Sequence, residues 1–183
     1  CLQVFGGHGY IKEWGMEQYV RDARINLIYE GTNTVQALDF LGRKVLGDNG
    51  AKMRKFAKLV TEFVEEEGTD EAMQEFVNPL ADLGDKVTKL SMELGMKAMR
   101  NADEVGAAAT DYLRVCGHLV FAYFWARMAK IALAKQDSGD PFYQAKLHTA
   151  RFYFAKLLPE TAGLIRTARS GLAPLMEMEE ALF

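Results

Sequence analysis

The sequence predicts an all-α protein ending in an antiparallel helical bundle. Three observations lead there. Only four prolines occur in 183 residues, so long helices go uninterrupted. No stretch alternates apolar and polar residues with the period of two that a strand needs. Apolar residues instead recur at steps of three and four over long runs, as in Met73, Phe76, Leu80, Leu83, Val87, Leu90 and Leu94, which is heptad spacing.

Residues 1–15 hold four glycines and read as a helix end plus a loop. A short helix follows over 16–28, with Met16, Tyr19, Val20, Ala23 and Leu27 on one face. Gly31 breaks it. The next helix runs from Thr32 or Asn33 to Leu46, where Asn33 followed by Gln36 has the chemistry of a capping box. Gly47-Asp48-Asn49-Gly50 is a turn and a candidate domain boundary. Residues 51–66 place Met53, Phe56, Val60 and Phe63 on one face. Lys52, Arg54 and Lys55 at the start and Glu65–Glu67 at the end oppose the helix dipole, so packing must hold this helix, or its end frays.

Within 70–100, Pro79 either kinks the helix or follows a fresh cap at Asn78. The spacing repeats over 103–135 through Val105, Ala108, Tyr112, Val115, Leu119, Ala122, Ala126, Ala129 and Leu133. Its alanines allow close approach by a neighbour. Ser138-Gly139-Asp140-Pro141 ends that helix and starts the last, with Pro141 in its first turn. That helix presents Leu147, Ala150, Phe154, Leu157, Thr161, Leu164 and Ala168, and Pro159 should bend it. Helices of about 30 residues, some ~45 Å long, joined by short turns pack antiparallel.

Composition narrows the function. Hydrophobic residues make up 49% of the chain, enough for a sizeable core. The formal charge is −3 and the basic residues are scattered, which argues against nucleic acid. The longest apolar stretch, "GHLVFAYFWARMAKIALA", is interrupted by Arg127 and Lys130, short of the ~20 residues of a membrane span. Two cysteines, Cys1 and Cys116, make no disulfide framework and suit a reducing, cytoplasmic compartment. The chain opens on Cys within an apolar phrase and reads as a piece of a longer protein.

Few side chains demand chemistry. None of His8, His118 and His148 has partners at metal-ligand spacing, so the plainer reading is a core or surface histidine. The aromatic run at 121–125 reads as core, and Glu65–Glu67 as a solvated helix end. "QVFGGHGY" is glycine-rich but lacks the ending of a phosphate loop and the strand before it. Its Gly6, Gly7 and Gly9 would let backbone approach a flat or charged group. Glu30, in "NLIYEGTNTVQ", stands at a turn beside the amides that open the next helix. One reading is a charge at a helix N-terminus. The other is a base: a carboxylate takes a proton α to a carbonyl while the amides stabilise the enolate oxygen.

The two phrases also belong to a longer one. "QVFGGHGYIKEWGMEQYVRDARINLIYEGTNTVQ", residues 3–36, resembles the acyl-CoA dehydrogenases, through Gln-x-x-Gly-Gly-x-Gly-Tyr, Arg-Asp-Ala and Ile-Tyr-Glu-Gly-Thr. The resemblance implies an FAD enzyme acting on acyl-CoA, with Glu30 as the catalytic base. It implies that Tyr29 and Gly31 border substrate and that Thr32, Asn33 and Thr34 contact flavin. Gln3, Val4, Phe5, Gly6 and Gly7 match the segment that reaches the adenosine part of FAD in the neighbouring subunit. Homo-oligomers and electron-transfer flavoprotein as acceptor are implied too. Thr34 departs from the small or Gln residue expected there. On this resemblance residues 1–50 are the end of the family's C-terminal helical domain. Residues 51–183 are a helical extension like that of the 3-methylmercaptopropionyl-CoA dehydrogenase branch. The piece alone should be inactive and hold no flavin. Two other readings remain: an acyl-CoA oxidase, told apart by its electron acceptor, and a non-catalytic helical assembly module, told apart by its lack of flavin colour.

Overall fold

The computed structural model describes residues 1–182. As the sequence predicts, these residues are all-α, and none of those described lies in a strand. No helix among them is long and apolar enough to cross a membrane. The chain divides into two compact units, Cys1–Val35 and Gln36–Phe183.

The first unit opens with tight 3-10 turns, Leu2–Tyr10 and Lys12–Trp14, where the sequence predicted a helix end and loop. Gly6 interrupts the first with φ 58° and ψ −142°. Gly9 is required by packing, since a Cβ there would sit 2.3 Å from the Leu2 carbonyl oxygen. Helix α1, Met16–Ile28, has the predicted bounds. Its predicted face lines a furrow with Cys1 and Leu2, yet Tyr19, Val20, Leu27 and Ile28 stay exposed.

Helix α2, Thr32–Leu38, continues as a π-helical segment, Asp39–Val45. A π turn closes i→i+5 bonds and takes in an extra residue. That keeps Ala37, Leu41 and Val45, four apart, on one buried face. Phe40 packs on Tyr112 with ring centroids 5.9 Å apart, while Leu38 remains partly exposed.

The second unit is dominated by four rods. Helix α3 spans Ala51–Glu67, α4 Gln74–Arg100 and α5 Glu104–Ala134. The fourth rod is α6, Pro141–Phe152, a π turn at Tyr153–Leu157, and α7, Glu160–Ser170. A short α8, Ala173–Met176, follows. The Arg151 guanidinium donates twice to Glu75 (2.8 and 2.9 Å), and Arg169 donates to Glu93 at 2.6 and 3.0 Å. Both pairs join α4 to the fourth rod at the same sequence offset, so those two run the same way. Tyr112 on α5 meets Ser91 on α4 at 2.6 Å, and Tyr153 on the fourth rod meets His118 on α5 at 3.1 Å. The order is therefore up-down-up-down, as short connections favour. Helix α5 lies in the middle, against α4, α6 and α7.

The predicted apolar faces account for most of the core. Met73, Phe76, Leu80, Leu83, Val87, Leu90 and Leu94 are all buried, as are Ala108, Tyr112, Val115, Leu119, Ala122, Ala126 and Ala129. Pro141 opens α6, with the Asp140 carboxylate accepting from the Phe142 amide at 2.9 Å.

Five local expectations need correction. Of the two readings of Pro79, the fresh start capped by Asn78 falls, because α4 runs through the proline as one helix. Asp70 opens the 3-10 turn Glu71–Met73 that leads into α4, its carboxylate accepting from the Ala72 amide at 2.9 Å. Helix α3 is not held by packing alone. The Asp48 carboxylate accepts from the amides of Ala51 and Lys52 at 3.1 and 3.2 Å and pairs with the Lys52 ammonium at 3.6 Å. Glu67 is buried rather than solvated and pairs with Lys130 of α5. Finally, Leu157 is 44% exposed and Leu158 is 6% exposed. The π turn advances the register by one residue, and the expected bend at Pro159 becomes a break between α6 and α7.

Candidate active site

The residues singled out by sequence lie at the ends of short elements in the first unit. Helix α1 stops at Ile28, and Tyr29 leaves it with φ −86° and ψ 24°, its amide still donating to the Ile25 carbonyl at 3.1 Å. The Tyr29 hydroxyl hydrogen-bonds the Asn26 side-chain oxygen. Asn26 was not anticipated; its position three residues before Tyr29 on a helix is the signal that could have found it. Gly31 has φ +149° with no atom within 4 Å of a would-be Cβ. Glycine is favoured there by backbone conformation and not by lack of room.

Glu30 is exposed. Its Oε1 accepts from the Asn33 amide at 3.3 Å, and the Gly31 carbonyl accepts from Val35 at 3.3 Å. The Glu30 carboxylate therefore caps α2. This corrects the expected capping box: Asn33 lies inside the first turn and supplies the amide, not the cap. One of the amides considered as an oxyanion partner is thus bound to the carboxylate itself. Thr32, Asn33 and Thr34 are exposed along the first turn.

Gln3, Val4, Phe5, Gly6 and Gly7 are exposed on the first 3-10 turn, and nothing lies within 4 Å of a would-be Cβ on Gly6 or Gly7. Among the described residues no hydrogen bond joins this segment to Tyr29–Thr34. Between them, Arg21 donates to Glu17 at 3.0 Å and to Gln18 at 2.6 Å. Glu17 is buried, and its Oε2 has no partner.

The family profile described as acetyl-CoA dehydrogenase C-terminal like matches residues 51–179. A second, the acyl-CoA dehydrogenase C-terminal domain, matches residues 1–46. The chain belongs to the acyl-CoA dehydrogenase family. It is 31% identical to a broad-specificity linear acyl-CoA dehydrogenase of Mycobacterium tuberculosis, over 100% of this chain and 32% of that protein. A 3-methylmercaptopropionyl-CoA dehydrogenase of Ruegeria pomeroyi is 35% identical over 87% of this chain and 28% of its own length. A butyryl-CoA dehydrogenase of Syntrophomonas wolfei is 29% identical over 100% of this chain and 31% of its own. The chain spans about a third of the length of these curated relatives.

In this chain the bundle histidine is a packing residue. His118 Nδ1 lies 3.1 Å from the Tyr153 hydroxyl, which donates to the His118 carbonyl at 3.0 Å. Burial pushes the Tyr153 phenol above its ordinary range. Glu160 joins His118 Nε2 at 3.4 Å and also pairs with Arg114. The aromatic run is core in part: Tyr123 packs edge-on against Phe56 and Phe63, while Phe121 and Phe124 are exposed.

Proposed function

We propose that this chain is the C-terminal part of an FAD-dependent enzyme that α,β-dehydrogenates acyl-CoA thioesters to 2-enoyl-CoA, with Glu30 as the base. The observation that carries the proposal is the family membership, taken with Glu30 standing at a turn between two helices. One carboxylate oxygen is anchored by the Asn33 amide, so the other is left to take a proton.

In the reaction Glu30 removes the α-proton of the thioester, a hydride leaves the β-carbon, and the Cα–Cβ double bond forms. FAD supplies the hydride acceptor. Excluding water around a carboxylate makes it a stronger base, so substrate binding would sharpen Glu30. Tyr29 and Gly31 border the substrate. Thr32, Asn33 and Thr34 offer neutral hydrogen-bonding groups to flavin. Gln3, Val4, Phe5, Gly6 and Gly7 serve the adenosine end of FAD in a neighbouring subunit of a homo-oligomer. The open sides of Gly6 and Gly7 suit that close approach. Electron-transfer flavoprotein is the proposed acceptor; reduction of oxygen instead would mark an oxidase.

The decisive experiment is Glu30→Gln in the full-length protein that carries this chain. Flavin should remain bound while turnover falls by about 10²–10⁴-fold, the range for a positioned acid or base. Near-normal turnover would refute the assignment. The 183-residue chain by itself should be inactive and colourless; stoichiometric binding of added FAD would refute that part.

A further inference from the structure

We propose that the furrow between α3 and α4 binds a long-chain carboxylate, its head at Arg54 and its hydrocarbon tail along the helices. The site lies wholly in the second unit and owes nothing to Glu30.

The furrow encloses about 640 Å³, within the range of about 300–1,000 Å³ typical of small-molecule pockets. Sequence explains why it exists. The side of α4 that lines it carries Ala81, Gly84, Thr88, Ser91, Gly95 and Ala98, small residues at steps of three and four. The opposite wall is touched near two of them. A methyl on Gly84 would lie 3.7 Å from Val60 Cγ1, and one on Gly95 3.5 Å from Leu46 Cδ2. The small side chains leave open space along the rest.

Its shape selects the occupant. From Ala81 to Met99 the furrow follows α4 for about 27 Å at ~1.5 Å per residue. A furrow of that length with an apolar lining accommodates one extended hydrocarbon chain. Met53, Phe56, Val64 and Met92 line it, and methionine adapts to a flexible apolar chain.

Its ends differ in charge. At the loop end Arg54 Nη1 donates to the Asn49 carbonyl at 2.6 Å, beside Gly50. Among the described residues no carboxylate stands within 4 Å of this guanidinium. The nearby Asp48 is engaged by Lys52 and the amides that open α3. Towards the other end stand Asp85 and Thr61, with Asp85 ten residues, some ~15 Å, along α4 from Gly95. An anionic head is attracted at Arg54 and repelled at Asp85, which sets the direction of the tail.

The test uses the whole 183-residue chain and the fluorescent fatty acid cis-parinaric acid below its micelle concentration. Saturable one-site binding is expected, displaced by palmitate about tenfold better than by 1-hexadecanol, the worth of one charge-assisted hydrogen bond. Arg54→Ala should erase that preference and leave hexadecanol displacement unchanged. Thr88→Trp, at an exposed position on the furrow wall, should block both ligands while circular dichroism shows an intact fold. Absence of saturable binding overturns the site. So does equal affinity for acid and alcohol, or an Arg54→Ala variant that keeps the preference. Probe release that tracks formation of a dimer by sedimentation would assign the furrow to a second copy of the chain and overturn it too.

Discussion

Replacing Leu158 and Leu157 by alanine, one at a time, tests the register of the fourth rod. The two side chains are neighbours of identical chemistry, so their difference isolates position. Leu158 is 6% exposed and Leu157 44% exposed. The cause is local: the Leu158 amide donates to the Tyr153 carbonyl at 2.9 Å, the i→i+5 bond of a π turn. Truncating a buried leucine loses its transfer energy and leaves a cavity, together about 2–5 kcal/mol. Leucine left nearly half in water leaves no enclosed cavity and should cost about 1 kcal/mol or less. Urea unfolding followed by helical circular dichroism reads both, provided the slope with denaturant is unchanged. Equal losses, or a larger loss at Leu157, would mean that the rod is a plain heptad helix and that the π turn is misplaced.

Leu119→Asp puts a charge into the buried face of α5 and should cost several kcal/mol; an unchanged melting temperature would show that Leu119 faces outward. Cys116 is buried and its thiol is pushed up to about 12 by burial, whereas Cys1 is exposed. A thiol reagent at pH 8 should therefore titrate one cysteine in the native chain and two in guanidinium. Rapid modification of both in the native chain would contradict the packing of α5. Burial works to raise the Asp48 carboxyl, but the Lys52 amide and ammonium and the amides of Ala51 and Gly50 outweigh it and hold the group below its ordinary value. Its charge therefore stabilises the fold above the unfolded-state value of about 4 and is lost as pH falls through the lower folded value. The stability gap between the wild type and Asp48→Asn should shrink on acidification through that range; a gap independent of pH would show that the charge does nothing.

The all-α class and the core helices were legible because steps of three and four report a buried helical stripe wherever the rod is a regular α-helix. The pattern misleads where geometry departs from that rule. A π turn carries no periodic signature of its own, so Leu157 was assigned the place that Leu158 occupies. Charge misleads for a different reason. Glu67 stands in a run of three glutamates, and only the tertiary approach of Lys130, sixty-three residues away, makes one of them a buried partner. Asp48 stands in a turn sequence, and its carboxylate also opens α3.

At the candidate site, sequence left Glu30 with two readings, a charge at a helix N-terminus or a base, and the geometry shows a carboxylate bound at the start of α2. The carboxylate accepts the Asn33 amide through one oxygen. A cap holds a side chain in one rotamer, and a proton acceptor held in place costs less entropy to align than a free one. On the proposed function the cap is thus the means of aiming the base. The two roles should then separate by substitution. Glu30→Gln keeps an amide oxygen to cap α2 and removes the base, so helix content should persist while turnover falls. Glu30→Ala removes both and should fray the first turn of α2 as well. If Glu30→Gln lost the helix start to the same extent as Glu30→Ala, the carboxylate's charge, and not its hydrogen bond, would be what holds the turn.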